Sequence, residues 1–252
     1  MSKIWEWIKD LVGILDDAGD YIDRVKDEME SINPVVTQLN QETGKIKQTL
    51  EMIRHSQDAE LIKDLFTRLD LDRPFLFGKA IGKKLVNAQK ELQSLKSHLA
   101  GQKDRVIAKV AMPVVDQAIN RLDRVFREHG DMLKQISTLQ MQRKVAIREV
   151  LNKIAKGGAM AAGVSFIAIS ASMMGSLVTL AGTAGMFQGT VTSFMQAITK
   201  EWLGTERVLR GVNDLRRAEQ NAAEDRLAAS EREASIARNE LRRRGGDAGQ
   251  DF

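Results

Sequence analysis

The chain has 252 residues, of which 29% are charged, and its 38 basic and 34 acidic residues leave a formal net charge of +4. Charges so nearly balanced lack the basic excess that phosphate binding requires, so we expect no nucleic-acid partner. Cysteine is absent, which excludes disulfides and thiolate metal sites. Helix formers dominate and only three prolines occur, so we predict an all-α protein, an elongated coiled-coil helical bundle.

The N-terminal region, residues 1–56, carries apolar or small residues at spacings that alternate between three and four. This alternation is typical of coiled-coil a and d positions, so we predict N-terminal coiled-coil helices. Pro34 interrupts the pattern, so two helices should meet near Ser31, which could also serve as an N-cap. The seam contains Ile4, Ile8, Leu11, Leu15, Ala18, Ile22, Val25, Met29, Ile32, Val36, Leu39, Thr43, Ile46, Leu50 and Ile53.

Residues 57–80 are predicted to form a short helix and a loop. The helix covers 59–69, and Asp58 before it is a suitable N-cap. Loop-forming residues follow at Asp70, Asp72, Pro74 and Gly78. The two aspartates do not form a calcium-binding loop, because the further carboxylates, the glycine at the sixth position and the closing glutamate are missing.

The heptad pattern resumes over residues 81–156, which predicts long amphipathic helices. Pro113 should mark a kink or the first turn of a new helix, and His129-Gly130 a further irregularity. Each of the three histidines stands among charged or polar neighbours. We therefore expect solvated side chains at His55, His98 and His129.

Residues 157–203 stand apart because Gly157 to Thr199 contains no charged residue. Within this range, Ala159–Ala181 is long enough to cross the hydrocarbon core of a bilayer as a helix. We predict a membrane-inserting apolar region, and the alternative is a buried central helix of a soluble bundle. The residues expected to insert are Met160, Val164, Phe166, Ile167, Ile169, Met173, Met174, Leu177, Val178 and Leu180.

The second half of this region is less apolar, but its large side chains recur at spacings of three and four. It could lie in the membrane interface, or form the return arm of a hairpin that turns near Gly182 and Gly185. The interfacial residues would be Phe187, Val191, Phe194, Ile198 and Trp202. Small residues four apart could allow close helix–helix packing in lipid, at Ala168, Ser172, Ser176, Ala181, Gly185 and Gly189.

Residues 204–244 predict a C-terminal charged coiled-coil helix, and residues 245–252 a disordered tail. The heptad seam of this helix is thin and rich in alanine, so it is marginal alone and needs a partner helix. Its later positions are Leu227, Ser230, Ala234, Ala237 and Leu241.

Signatures of catalysis are missing from the sequence. It has no cysteine nucleophile, no G-x-S-x-G turn and no phosphate-binding loop with its lysine. We therefore expect no enzyme, no catalytic residue, no cofactor and no metal site.

The stretch KGGAMAAGVSF, followed by a segment rich in Gly, Ala and Ser, resembles the hydrophobic translocator proteins of bacterial type III secretion systems. The alanine-rich tail RRAEQNAAEDRLAASEREASIARNEL is similar to theirs. The N-terminal region departs from that pattern, because it is more charged and more regularly heptad than the usual secretion leaders. The layout is also similar to cytolysin-A-type α-helical pore-forming toxins. Both resemblances imply a pore made of helical subunits, and neither implies a particular site residue.

These observations lead to the hypothesis of a membrane-inserting helical protein that oligomerises into a pore or translocon. The expected partners are a lipid membrane and further copies or a related helical subunit, and a chaperone could cover the apolar region beforehand. We expect a membrane-associated protein and, if it is secreted, export without a Sec-type signal.

Two other functions remain open. One is a single-pass membrane coiled-coil protein that acts as a scaffold or tether. The other is a component of a soluble helical assembly, with the apolar region as its core.

Overall fold

A computed structural model describes residues 2–102, 105–156 and 159–247, and these residues form α-helices joined by short turns, with no strand among them. The predicted all-α class is confirmed, and the long helices pack against one another as a bundle. The helices are α1 (Ser2–Glu30), α2 (Ile32–His55), α3 (Ala59–Arg68), α4 (Asp72–Ala100), α5 (Arg105–Ala155) and α6 (Ala159–Asp247).

The chain divides into two compact units. The larger unit, Asp16–Leu203, contains most of the bundle, in which α4 packs against α5 and α2, and α3 contacts α5 and α2. Its core is built from the predicted 3–4 pattern, because the seam positions of residues 18–53 are all buried, as are Leu85, Leu92 and Leu99 of α4. The smaller unit comprises Met1–Leu15 and Gly204–Phe252.

Helices α1 and α2 meet at Ser31, as predicted from Pro34. The break is slight, because Ser31 keeps helical dihedral angles (φ −65°, ψ −10°) and its N–H donates to the Asp27 carbonyl at 3.0 Å. Pro34 lies in the first turn of α2, where the missing N–H costs least. The expected N-cap is wrong: the Ser31 hydroxyl donates to the Glu28 carbonyl at 2.6 Å and accepts from Lys84 at 2.7 Å.

The cap of α3 agrees with the prediction. Oδ1 of Asp58 accepts hydrogen bonds from the backbone N–H groups of Glu60 at 2.9 Å and Leu61 at 3.3 Å. The other end of α3 is closed by a side chain of α5, since the Arg143 guanidinium donates to the carbonyls of Phe66 at 3.2 Å and Thr67 at 2.8 Å. Carbonyl groups at a helix C-terminus have no partner in their own helix, so this arginine satisfies two of them.

The predicted loop before α4 is too long. α4 begins at Asp72 and includes both Pro74 and Gly78. Pro74 falls in the first turn, where backbone N–H groups have no helical acceptor, so proline does not interrupt the helix there. The carboxylate of Asp70 accepts from the N–H groups of Asp72 at 3.1 Å and Arg73 at 3.2 Å, which stabilises the early start.

Helix α5 is longer than predicted. It runs through Pro113 and through His129-Gly130, so neither position starts or ends a helix. Ala111 and Val115, on either side of Pro113, are buried, and this packing offsets the loss of one backbone hydrogen bond. Helix α6 likewise continues through Gly182 and Gly185, so the hairpin alternative does not describe this structure.

Helices α4 and α5 approach closely where α4 has glycines one turn apart. A Cβ atom added to Gly78 would lie 2.6 Å from Cδ2 of Leu133, and one added to Gly82 would lie 2.9 Å from Cε1 of His129. Neighbouring Gly130 on α5 has open space, with no atom within 4 Å of an added Cβ. The two kinds of helical glycine should therefore respond differently to alanine.

Replacing Gly130 with Ala should stabilise the protein by about 0.5–1 kcal/mol, because alanine loses less backbone entropy in a helix. Replacing Gly82 with Ala should instead destabilise it by about 1–3 kcal/mol, because the His129 ring must move. Thermal and urea unfolding of both variants measure the difference. Equal stabilisation by the two substitutions would show that the helices are not in close contact at Gly82.

Candidate functional site

The part of α6 that belongs to the larger unit, up to Leu203, presents two faces. One face is buried in the bundle and consists of Ser170, Met173, Leu177, Leu180, Ala184, Phe187, Val191, Phe194, Ile198 and Trp202. The opposite face is exposed and has no charged residue between 167 and 199. The two faces of this segment therefore differ in burial but not in charge.

Helix α6 is held by α5 through its buried face and through side chains beside that face. The rings of Phe187 and His129 have centroids 6.2 Å apart, and Gln142 donates to the Ser172 hydroxyl at 3.1 Å. Near the end of this segment, Arg121 donates to the Glu201 carboxylate at 2.6 Å. These contacts tie α5 to α6 over about eight turns.

The five residues predicted as interfacial all lie on the buried face. Phe187, Val191, Phe194, Ile198 and Trp202 are each at most 5% exposed, so in this structure protein covers the stripe. The predicted 3–4 spacing is confirmed as one helical face. Contact of this face with a membrane stays a prediction.

The residues predicted to insert are divided between the faces. Met173, Leu177 and Leu180 are buried, Ile169 and Met174 are half-buried, and Ile167 and Val178 are 45% and 64% exposed. The side chains of Met160, Val164 and Phe166 lie outside the described residues. The structure therefore leaves only part of the predicted inserting set accessible.

The small residues lie mainly on the exposed face. Ala168, Ser172, Ala181, Gly185 and Gly189 are exposed, and Ser176 is half-buried. An added Cβ at Gly175, Gly182, Gly185 or Gly189 would meet no atom within 4 Å, so the helix backbone is open to a close neighbour here. Close approach of this kind is what small residues permit between helices in lipid.

Within the described residues, α6 is the one helix that is long and apolar enough to cross a membrane. Only 28% of its most apolar 18-residue window is buried in the protein. The bundle helices α2 and α4 have a similar buried share, with 7 of 24 and 8 of 29 residues buried. The segment therefore differs from them in the lack of charge on its exposed face, not in the extent of its burial.

His129 is a residue whose role the sequence analysis missed. It is 7% exposed, so the expectation of a solvated side chain is wrong for it, although His55 is exposed as predicted. Its Nε2 donates to the Gly78 carbonyl at 2.8 Å, while Phe187 of α6 lies on another side. The signal was its spacing: His129 lies four residues after Val125 and three before Met132, so it continues the 3–4 spacing of these two buried residues.

Burial lowers the pKa of His129 below its ordinary value of 6.5, and the hydrogen bond to the Gly78 carbonyl acts weakly in the opposite direction. The neutral ring therefore fits this junction of α4, α5 and α6 better than the charged ring does.

A crevice of about 330 Å³ lies between α5 and α6, and its lining mixes both signs of charge with polar and apolar groups. Among the described residues, no three His, Asp or Glu side chains lie close enough together to hold a metal ion. The crevice is lined by Glu128, Asp131, Lys134, Gln135, Thr183 and Met186.

No protein-family model, curated protein or solved structure matches this chain. The buried face and the exposed, uncharged face of α6 are therefore the features that bear on its function.

The free energy of unfolding should fall as the pH is lowered from 6.5 towards the reduced pKa of His129. The unfolded chain takes up the proton first in that range, which favours unfolding, and above pH 6.5 the full stability is present. The His129→Gln variant should lose this component of the pH dependence. Urea unfolding between pH 5 and 7.5 measures it.

The matched control is His55→Gln, which removes an exposed histidine and should behave as the parent protein. An unchanged pH dependence in His129→Gln would contradict the role of the buried ring.

Proposed function

We propose that this protein inserts into a lipid membrane through α6 and oligomerises there into a pore or translocon. The observation that carries the proposal is the exposed, uncharged face of α6 between residues 167 and 199, in a chain of which 29% is charged. Extended exposed apolar surfaces on soluble proteins mark sites of membrane or protein binding.

The dimensions of the segment suit a bilayer. Ala159–Ala181 contains 23 residues and, as a helix, measures about 35 Å, which exceeds the hydrocarbon thickness of about 30 Å. The backbone of this range is helical, so its N–H and C=O groups are paired within the helix, as a membrane requires.

Insertion of the whole region requires the bundle to open. The stripe from Phe187 to Trp202 is buried against protein, and exposing each large apolar side chain to water costs about 2 kcal/mol. At a lipid surface this cost is avoided, because the side chains pass into lipid when α6 separates from α5 and are not exposed to water. We infer that the exposed face makes the first contact and that the buried stripe follows.

Oligomerisation is supported by the small residues of the exposed face. Gly182, Gly185 and Gly189 have open space around them, so another α6 helix could approach the backbone closely. The amphipathic helices of each copy would then remain at the membrane surface. No catalytic chemistry is needed for this function.

A second candidate is a soluble helical assembly in which copies cover the exposed face of α6 without any membrane. The burial of Phe187, Phe194 and Trp202 favours it, because α6 already completes a bundle core. This candidate predicts protein oligomers that neither float with liposomes nor release their contents.

Replacing Ile167 with Arg should strongly reduce insertion. Ile167 is 45% exposed, so arginine is tolerated in the bundle, whereas an arginine near the centre of a membrane helix costs about 3 kcal/mol, roughly a hundredfold in the insertion equilibrium. Dye release from liposomes and co-flotation, measured in the same samples, report permeabilisation and binding.

The matched control is Val208→Arg, on the same helix but beyond the uncharged segment, where the native side chain is 53% exposed. It should leave dye release unchanged. Leu177 is a poor choice, because it is buried and its replacement would also open the bundle. Flotation of the parent protein without release would indicate a membrane scaffold, and release by Ile167→Arg at the parent level would contradict insertion of α6.

A further inference from the structure

The last part of α6, residues 221–240, is a helical segment that is not buried against any other helix. Every side chain from Asn221 to Glu240 is exposed, including Leu227 at 63%. Helices in proteins owe most of their stability to packing, and a solitary helix of this length is marginal in water. A partner helix would supply what this segment lacks.

The segment has a narrow seam with the heptad period. Leu227 and Ala234 occupy a positions, and Ser230 and Ala237 occupy d positions. Such small side chains give a thin apolar contact but allow two helices to approach closely. The residues that flank the seam therefore decide which partner fits and in which direction.

Charged residues flank this seam at an unusual spacing. Between Asn221 and Asn239, no two opposite charges lie three or four residues apart, the spacings at which side chains meet on one helix. Instead, Arg226 precedes Glu231 by five residues, and Glu233 precedes Arg238 by five. None of these four exposed side chains has an opposite charge three or four residues away on its own helix.

A spacing of five is the one that a parallel pair of helices uses. In a two-stranded parallel coiled coil, a residue at position g faces the e residue five positions later on the partner. Arg226 and Glu233 are at g positions, and Glu231 and Arg238 are at e positions. Two copies in register would thus form four pairs of opposite charge.

We propose that residues 226–240 dock on the same segment of a second copy of this chain as a parallel, in-register coiled coil. Glu219 and Glu224 would repel across the pair, so the contact begins after them. An antiparallel pair that sets Glu224 against Arg238 also sets Arg226 against Glu240, but at its centre it brings Glu231 opposite Glu231 and Glu233 opposite Glu233. Over residues 226–240 the parallel pair brings only opposite charges together, so charge complementarity favours the parallel arrangement.

This contact would be one of the surfaces through which the copies assemble, and its biological role rests on the proposed function. It forms without a membrane, however, so it can be tested separately.

The absence of cysteine from the chain makes cross-linking a direct test. The full-length Ala234→Cys protein should form a disulfide-linked dimer on mild oxidation, because equivalent a positions face each other in a parallel, in-register pair. The control is Ala229→Cys, whose exposed site at position c points away from the seam and should cross-link at least about tenfold more slowly.

Two outcomes of the cross-linking would overturn the proposal. Equal rates for both variants would show that only random collisions occur. An antiparallel pair would cross-link a mixture of Ser230→Cys and Ala234→Cys chains faster than either chain alone.

Charge exchange tests the partner's identity without altering the seam. Glu233→Arg places like charges opposite each other and should weaken the homodimer about tenfold, and Arg238→Glu should do the same. Mixing the two variants should restore dimerisation, as should the double variant E233R/R238E. Sedimentation equilibrium of the full-length proteins without lipid measures the affinities, and equal affinities throughout would overturn the proposal.

Dye release by the same variants separates this inference from the proposed function. Release that persists when no parallel dimer forms overturns only the contact proposed here. A parallel dimer that forms while the parent protein releases no dye overturns only the pore.

Discussion

The burial of one stripe of α6 against α5 is the constraint on which the rest of the larger unit depends. Phe187, Val191 and Phe194 are apolar and face the bundle, so the opposite side of the same helix must face outward. That side carries no charge, because none exists between 157 and 199. One packing choice thus both completes the core and creates the exposed surface that the proposed function uses.

A second constraint acts where α4 meets α5. Glycine at 78 and 82 removes two side chains from α4, and the space is taken by Leu133 and the ring of His129. The ring then reaches the Gly78 carbonyl and lies beside Phe187 of α6. Three helices therefore share one junction, and the imidazole of His129 occupies its centre. A change at this junction would therefore affect both the stability of the bundle and the position of α6, the helix proposed to enter a membrane.

The end of α6 differs from the rest of the helix, because its side chains from 221 to 240 are all exposed. In the pairing proposed above, association supplies the packing that this segment lacks, and the alanine-rich seam and the charges five residues apart select a partner of the same sequence. The chain would then separate a segment that enters lipid from a segment that pairs in water.

Much of the fold could be predicted from the sequence, because apolar spacing and local capping are properties of the chain itself. The 3–4 alternation identified the buried residues of α1 from Leu15 onward and those of α2, while the predicted seam side chains of Ile4, Ile8 and Leu11 lie outside the described residues. Asp58 identified the start of α3. Prolines were misjudged where their effect depends on surroundings: Pro74 lies in a first turn that needs no N–H, and Pro113 lies in a helix supported by packing on both sides.

Which face of an uncharged helix is covered depends on contacts between helices, which the sequence does not show. Elsewhere in the chain, the spacing of charged residues distinguishes the exposed face of a helix from its buried face. Residues 157–199 have no charged residue, so Met173 and Val178 look equivalent in sequence. In the structure Met173 is buried and Val178 is exposed. His129 likewise has polar neighbours in sequence, and its burial arises from the glycines of another helix. The residue types of this segment therefore specify an uncharged helix, and contacts between helices specify which of its sides is buried and which is exposed.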